Sequence, residues 1–488
     1  MLTPITNWIH RYHIKKSLIF VTLISLLFYL LIGFDIIPLL RGPVDWHWSY
    51  LFINTFPKIF PALLLIGILL YFFSTFDKKK DTDIPRYEKI FLPLGVFLGF
   101  LLQLSVIYFS RAGIFVLLAR TIEPVNNGYF TASLTIDTLS QFLSHYNELL
   151  ATFPLHPSQH PPGGILFYYF FQWLFTFFPF LHHFVNGITI STKSIFEIWL
   201  PLLPNQKEAA LFTGFFMPLF ASALAIPLYY AGKLFGTARV ALRSAFMYLF
   251  LPSIVLFTPL PDVLFSVFTL GGLLFFILAI KKNNPRYVFL VGLMVALGIF
   301  CSLSLLSIGL LFFIALLIQY MLITKYRIIL LKSMLYLTLG IVVPFIALML
   351  FFQFNILTVA TTIHNILVRE INNRSYTEFL FYNLYDFLIF AGIPVFFYFI
   401  YTLKDIRKLS KENFLLLSFI ATLLIMDFSG TLKGETSRLL IPFYPFLVLL
   451  TTGNLCKQYK FQTRDFLVIY ALMGLQILVM QEFWVTLW

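Results

Sequence analysis

Histidines, carboxylates and arginines are sparse in this chain, and they gather at the edges of apolar runs. The segment from Leu155 to Phe175, LHPSQHPPGGILFYYFFQWLF, sets His156, Gln159 and His160 before two prolines and then enters an aromatic stretch. Each proline removes a backbone donor, and hydrocarbon offers no water to satisfy what remains, so this strip lines something polar. His160 stands directly before Pro161-Pro162-Gly163-Gly164, which would fix the backbone just ahead of a helix. Upstream, RTIEPVNNGYF (Arg120 to Phe130) and then Asp137 bring carboxylates and Tyr129. A carboxylate at a membrane surface can act as general base toward an acceptor hydroxyl or amine, and a carboxylate with an imidazole can ligate a divalent ion. Glu123 and Asp137 are therefore alternative bases, and His160 with Asp137 the candidate metal ligands. No compact motif such as HExxH is present. The plainer reading is that both carboxylates are solvated or cap helices, Asp137 opening the amphipathic stretch DTLSQFLSHY.

Asp262, in TPLPDVLFSVFTLGGLLFF, lies at the mouth of an apolar span, where an ionisable group is costly unless it faces a polar cavity. A helix N-terminus behind two prolines also favours an acid there, and the two readings are compatible. The loop SGTLKGETSRLLIPFYPFL brings Lys433, Glu435 and Arg438 to the start of another apolar run. A guanidinium presents forked donors matched to phosphate oxygens, so Arg438 and Lys433 are candidate phosphate ligands, with a structural Glu435–Arg438 pair as the alternative. Arg369 and Arg374, in HNILVREINNRSY, are further candidates, with lipid headgroup contact as theirs. In the first loop, DIIPLLRGPVDWHWSY, Arg41, Asp45 and His47 accompany two tryptophans that aromatic-belt anchoring would explain.

These residues have to be positioned by a membrane scaffold. Of 488 residues 60% are hydrophobic, 19% aromatic and only 11% charged, which excludes an ordinary soluble domain. The net charge of +13 is carried by short basic clusters between apolar runs, the pattern of membrane orientation and not of nucleic-acid binding. Two cysteines, Cys301 and Cys456, offer no disulfide framework. Apolar runs at roughly 17–34, 58–75, 90–109, 209–230, 240–258, 263–280, 287–301, 304–322, 333–354, 379–402, 413–428, 438–453 and 465–482 predict an all-α polytopic fold of about 13 transmembrane helices. The first is read as a retained span. With a cytoplasmic N-terminus most Lys and Arg fall on the inner side, the C-terminus lies outside, and the polar loops 35–57, 110–208, 355–378 and 429–437 face outward. The apolar stretches 165–181 and 195–203 in the long outer loop are expected to lie as interfacial helices. Three regions follow: 1–89, an N-terminal two-span extension; 90–330, a core; and 331–488, a C-terminal transmembrane region.

His160-Pro161-Pro162-Gly163 followed by ILFYYFFQWLF, the span end IPLYYAGKLFG (Ile226 to Gly236), and Asp262 after a proline at a span start resemble the C-type polytopic glycosyltransferases. The nearest branch is that of protein O-mannosyltransferases and lipid A aminoarabinose transferases. The resemblance covers about residues 90–300, and the GETSR loop extends it loosely to 450. It implies a polyprenyl-phosphate-linked sugar donor and a lipid, glycan or protein acceptor; the topology puts the site on the outer face, and the low cysteine content with no long soluble domain points to a plasma membrane. One departure stands out, since the family's acidic pair follows the first core span and no adjacent DD, DE or ED occurs there in this chain. On this reading Glu123 or Asp137 would deprotonate the acceptor. Arg438, with Lys433, Arg369 or Arg374, would hold the leaving phosphate. His160 and Asp262 would shape the site or hold a divalent ion, the one cofactor candidate, and Glu435, His156, Arg41 and Tyr129 would line it. The alternatives are a lipid-linked polysaccharide polymerase or ligase, a transporter or flippase with polar breaks at mid-membrane, and a scaffold that lost activity with the acidic pair.

Overall fold

The computed structural model describes residues 15–52, 55–110, 113–125, 127–178, 180–181, 204–322, 327–404 and 413–486. Within these the chain is almost entirely α-helical, as the unbroken apolar runs require, because hydrocarbon leaves backbone groups no partner outside the helix. Among the described residues eight helices are long and apolar enough to cross a membrane: Lys16–Gly33, Phe56–Asp77, Ile84–Phe109, Asn205–Phe235, Asp262–Lys282, Leu303–Leu322, Arg327–Phe352 and Thr463–Phe483. A ninth is the pair Tyr376–Ala391 and Ile393–Thr402, bent by 114°. The bend falls at Gly392, whose φ of +102° a side chain would resist, two residues before Pro394 in the first turn of the next helix. Arg286–Cys301 and Phe414–Phe428 are shorter apolar helices.

The remaining two expected spans, 240–258 and 438–453, are broken. The first becomes Ala238–Leu249 and Pro252–Leu256, and the second Thr436–Leu439, a 3₁₀ turn and Tyr444–Lys457. Both are buried almost throughout, so their apolar residues on every side face other helices. A segment enclosed by protein need not match the bilayer thickness with one continuous helix, so hydropathy alone does not set the length of its helices. Arg327–Phe352 is the opposite case, with 11% of its best window buried and the rest turned outward. The expected interfacial stretch 165–181 overlaps the Gly163–Phe177 helix, while 195–203 lies outside the described residues.

Contacts sort the loops to two ends of the bundle. At one end Arg243 pairs with Asp77 through two bonds of 2.8 and 2.9 Å, the Arg239 amide donates to Asp81, Lys233 meets Glu88 at 2.8 Å, and Lys15 lies over the Phe461 ring. At the other, Ser49–Tyr50 pairs antiparallel with Trp484–Val485, the Ser375 amide donates to Asp45, and Arg120 donates to the carbonyls of Leu256, Thr258 and Thr486. Every candidate site residue named above belongs to segments gathered at this second end.

Candidate functional site

Arg438 is the centre of the site. It sits on the four-residue turn Thr436–Leu439 and is 5% exposed. Its Nη2 lies 2.7 Å from Glu435 Oε2, and its Nε lies 3.9 Å from Asp262 Oδ2. Burial opposes the charge of Arg438, but Glu435 and then Asp262 outweigh that cost and hold its pKa above the ordinary arginine value. Nε itself makes no hydrogen bond and is shielded from solvent. A buried forked donor that retains an open N–H between two carboxylates is equipped to exchange a carboxylate for a phosphate oxygen.

Asp262 opens the Asp262–Lys282 helix behind Pro261, so its carboxylate sits where a helix N-terminus favours an acid, and it is buried. Facing it is the wall formed by the polar strip of the long loop. Tyr129 and His160 pack with ring centroids 5.7 Å apart, and Tyr129 stacks on Tyr168 at 6.5 Å. Tyr129 lies so close to Gly164 that a Cβ there would stand 2.9 Å from its ring, which explains glycine at the first turn after Pro161-Pro162. His160 is buried, its carbonyl accepts from Tyr146 Oη at 2.7 Å, and its Nδ1 has no partner. Burial, with the nearby Arg438 charge, pushes the pKa values of His156 and His160 down to about 3, so both imidazoles are neutral at physiological pH.

The other predicted residues have different placements. Glu123 follows the Phe115–Ile122 helix, and its carboxylate accepts from the Val125 amide at 3.1 Å, closing its own turn. Asp137 is exposed, and the cap of the Leu139–Ser144 helix is Thr138, not Asp137. The carboxylates grouped with Arg438 are thus Asp262 and Glu435. Lys433 and Arg374 clasp one another, each donating to the other's carbonyl. Arg369 is exposed on the last turn of Ile356–Ile371. Arg41 is engaged with Asp35 at 2.9 and 3.1 Å and with the Trp48 carbonyl, closing the first loop on itself. As for metal, no three His, Cys, Asp or Glu side chains converge to hold an ion among the described residues, and Asp137 is exposed where His160 is buried.

Sequence reasoning missed Tyr168, Asn383 and Asp386. Asn127 donates to Tyr168 Oη at 3.1 Å, completing the aromatic wall. Asn383 and Asp386 are buried polar residues inside the apolar Tyr376–Ala391 helix, and that burial of polarity in a hydrocarbon-length run was the available signal.

Residues 195–352 match the family model of the dolichyl-phosphate-mannose-protein mannosyltransferases. No curated protein matches the chain. The matched stretch contains Asp262 and its helix and is similar to membrane glycosyltransferases of the C type, a family that implies transfer from a lipid-linked donor.

Proposed function

We propose that this integral membrane protein transfers a sugar from a polyprenyl-phosphate donor to an acceptor at the outer face of a plasma membrane, with its N-terminus cytoplasmic and its C-terminus outside. The observation that carries the reading is Arg438, buried between Asp262 and Glu435 and near Tyr129 and His160, at the bundle end opposite the basic loops. The donor's tail stays in the bilayer, and its phosphate comes to Arg438 at the polar end.

The phosphate takes the place of Glu435 on the guanidinium. The acceptor oxygen attacks the anomeric carbon, the bond from that carbon to the phosphate oxygen breaks, and the acceptor proton passes to the released Glu435 carboxylate. Charge accumulates on the leaving phosphate, so a prepositioned buried cation is where transition-state stabilisation is largest. Glu435 is favoured over Glu123 and Asp137 as base because it is half-buried and already against Arg438. The neutral imidazoles of His156 and His160 offer hydrogen bonds to sugar hydroxyls without adding charge.

Native mass spectrometry of the protein in nanodiscs tests the reading. Retention of a polyprenyl-phosphate hexose or pentose is expected, with transfer to an added hydroxyl acceptor. Retention of only a diphosphate-linked glycan would replace it by the polymerase or ligase reading, and retention of only a soluble solute by transport.

A further inference from the structure

The turn that carries Arg438 is four residues long, too short to hold its own geometry through helical hydrogen bonds. It is entered at Glu435 with φ of 54°, a left-handed conformation that a non-glycine residue keeps only when its surroundings impose it. Two side chains on the Tyr376–Ala391 helix impose it. Asp386 Oδ2 accepts from the Ser437 amide at 2.7 Å. Asn383 Oδ1 accepts from Thr436 Oγ1 at 2.8 Å and from the Gly434 amide at 3.4 Å, while its Nδ2 donates to the Leu432 carbonyl at 2.8 Å. One helical face thereby grips the loop on both sides of Glu435.

The other oxygen of Asp386 reaches into the first loop of the chain. Asp386 Oδ1 accepts from Trp48 Nε1 at 2.8 Å, and the Trp48 side chain is 1% exposed. Its indole rests on Phe257 and Phe390, with ring centroids 5.6 and 5.1 Å away, and Phe257 leads into the turn that ends at Asp262. Trp46 meets Trp48 edge-on at 5.0 Å and covers Gly434, where a Cβ would stand 3.0 Å from the Trp46 ring. The single buried carboxylate of Asp386 therefore ties together the loop holding Arg438 and Glu435 and, through Trp48, the approach to Asp262.

We propose that Asp386 is a positioning residue for Arg438, and that the first loop, through Trp48, is a working part of the site and not an appended anchor. The proposal rests on the reading of Arg438 as the donor-phosphate ligand. Asp386 touches no reacting atom in it; it sets where the guanidinium points.

The test uses the full chain in nanodiscs and two variants. Asp386→Asn keeps the shape but turns an amide N–H toward one of two donors. Trp48→Phe keeps an aromatic ring and removes one donor. Hydrogen exchange of the peptide covering 432–440 is measured alongside binding of a polyprenyl-phosphate hexose. Faster exchange at 434–438 is expected in both variants, with donor binding weakened by about tenfold or more in Asp386→Asn, the scale of one lost charge-assisted bond. In an Arg438→Lys background, which keeps the charge and loses the fork, Asp386→Asn should cost clearly less than in the wild type. Unchanged exchange at 434–438 overturns the proposal, and so does an equal loss of binding in both backgrounds. If the wild type binds no donor, the donor reading fails, while the exchange measurement still decides whether Asp386 and Trp48 hold the loop.

Discussion

Replacing Arg438 by Gln removes the buried cation between buried Asp262 and half-buried Glu435, and the geometry says how much that costs. At about 4 Å and an effective dielectric near 20, a unit pair is worth roughly 4 kcal/mol, and breaking a buried pair by removing one partner typically costs about 3–5 kcal/mol. Glu435, at 2.7 Å, and Asp262, at 3.9 Å, are both left without their countercharge, so Arg438→Gln should lose stability at the upper part of that range. Removing Glu435 as well takes away one stranded charge, and the double variant Arg438→Gln/Glu435→Gln should recover much of the loss. Donor binding should not recover with it. A charge-assisted bond contributes about 1.5–3 kcal/mol, so both variants should bind a polyprenyl-phosphate sugar roughly 10- to 150-fold more weakly than the wild type. Thermal unfolding in detergent reads the first quantity, and native mass spectrometry in nanodiscs reads the second. A double variant that regained donor affinity together with stability would make Arg438 a structural partner of Glu435 and nothing more.

Glu435→Gln alone should abolish transfer while donor binding persists, whereas Glu123→Gln and Asp137→Asn should retain transfer; the opposite ranking in a radiolabelled transfer assay would return the base to the long loop. Acid should destabilise the site end: His156 and His160 stay neutral in the fold down to about pH 3 but protonate near 6.5 when unfolded. Between those values the unfolded chain binds more protons, so stability falls as pH falls, by up to about 1.4 kcal/mol per pH unit for each histidine. The slope of unfolding midpoint against pH from 6.5 to 4.5 should flatten in a His156→Gln/His160→Gln variant, and an unaltered slope would assign the acid sensitivity elsewhere. Gly292→Ala should separate the Arg286–Cys301 and Arg327–Phe352 helices, since a Cβ at 292 would run into the Leu337 carbonyl and the Gly340 Cα. A loss of several degrees in unfolding midpoint is expected, and no loss would mean that the crossing relaxes freely.

What the sequence alone determined was the kind of molecule and the short list of chemical groups. Apolar runs of span length leave only helices, basic clusters mark one set of loops, and Asp262, His160 and Arg438 stand out because charge and imidazole are rare beside hydrocarbon. Those are local properties, readable in a window of about 20 residues. Tertiary structure decided which carboxylates meet Arg438. Glu435 is three residues away, but Asp262 comes from another helix, and Glu123 accepts from the Val125 amide in its own turn. It also decided that 240–258 and 438–453 would break, since enclosure by neighbours and not hydropathy sets the length of a buried helix. The brace from Trp48 to Asp386 joins residues 338 apart in sequence. No periodicity or spacing encodes such a bond. It exists because a buried carboxylate must find donors, and the fold brings the Trp48 indole and the Ser437 amide within its reach.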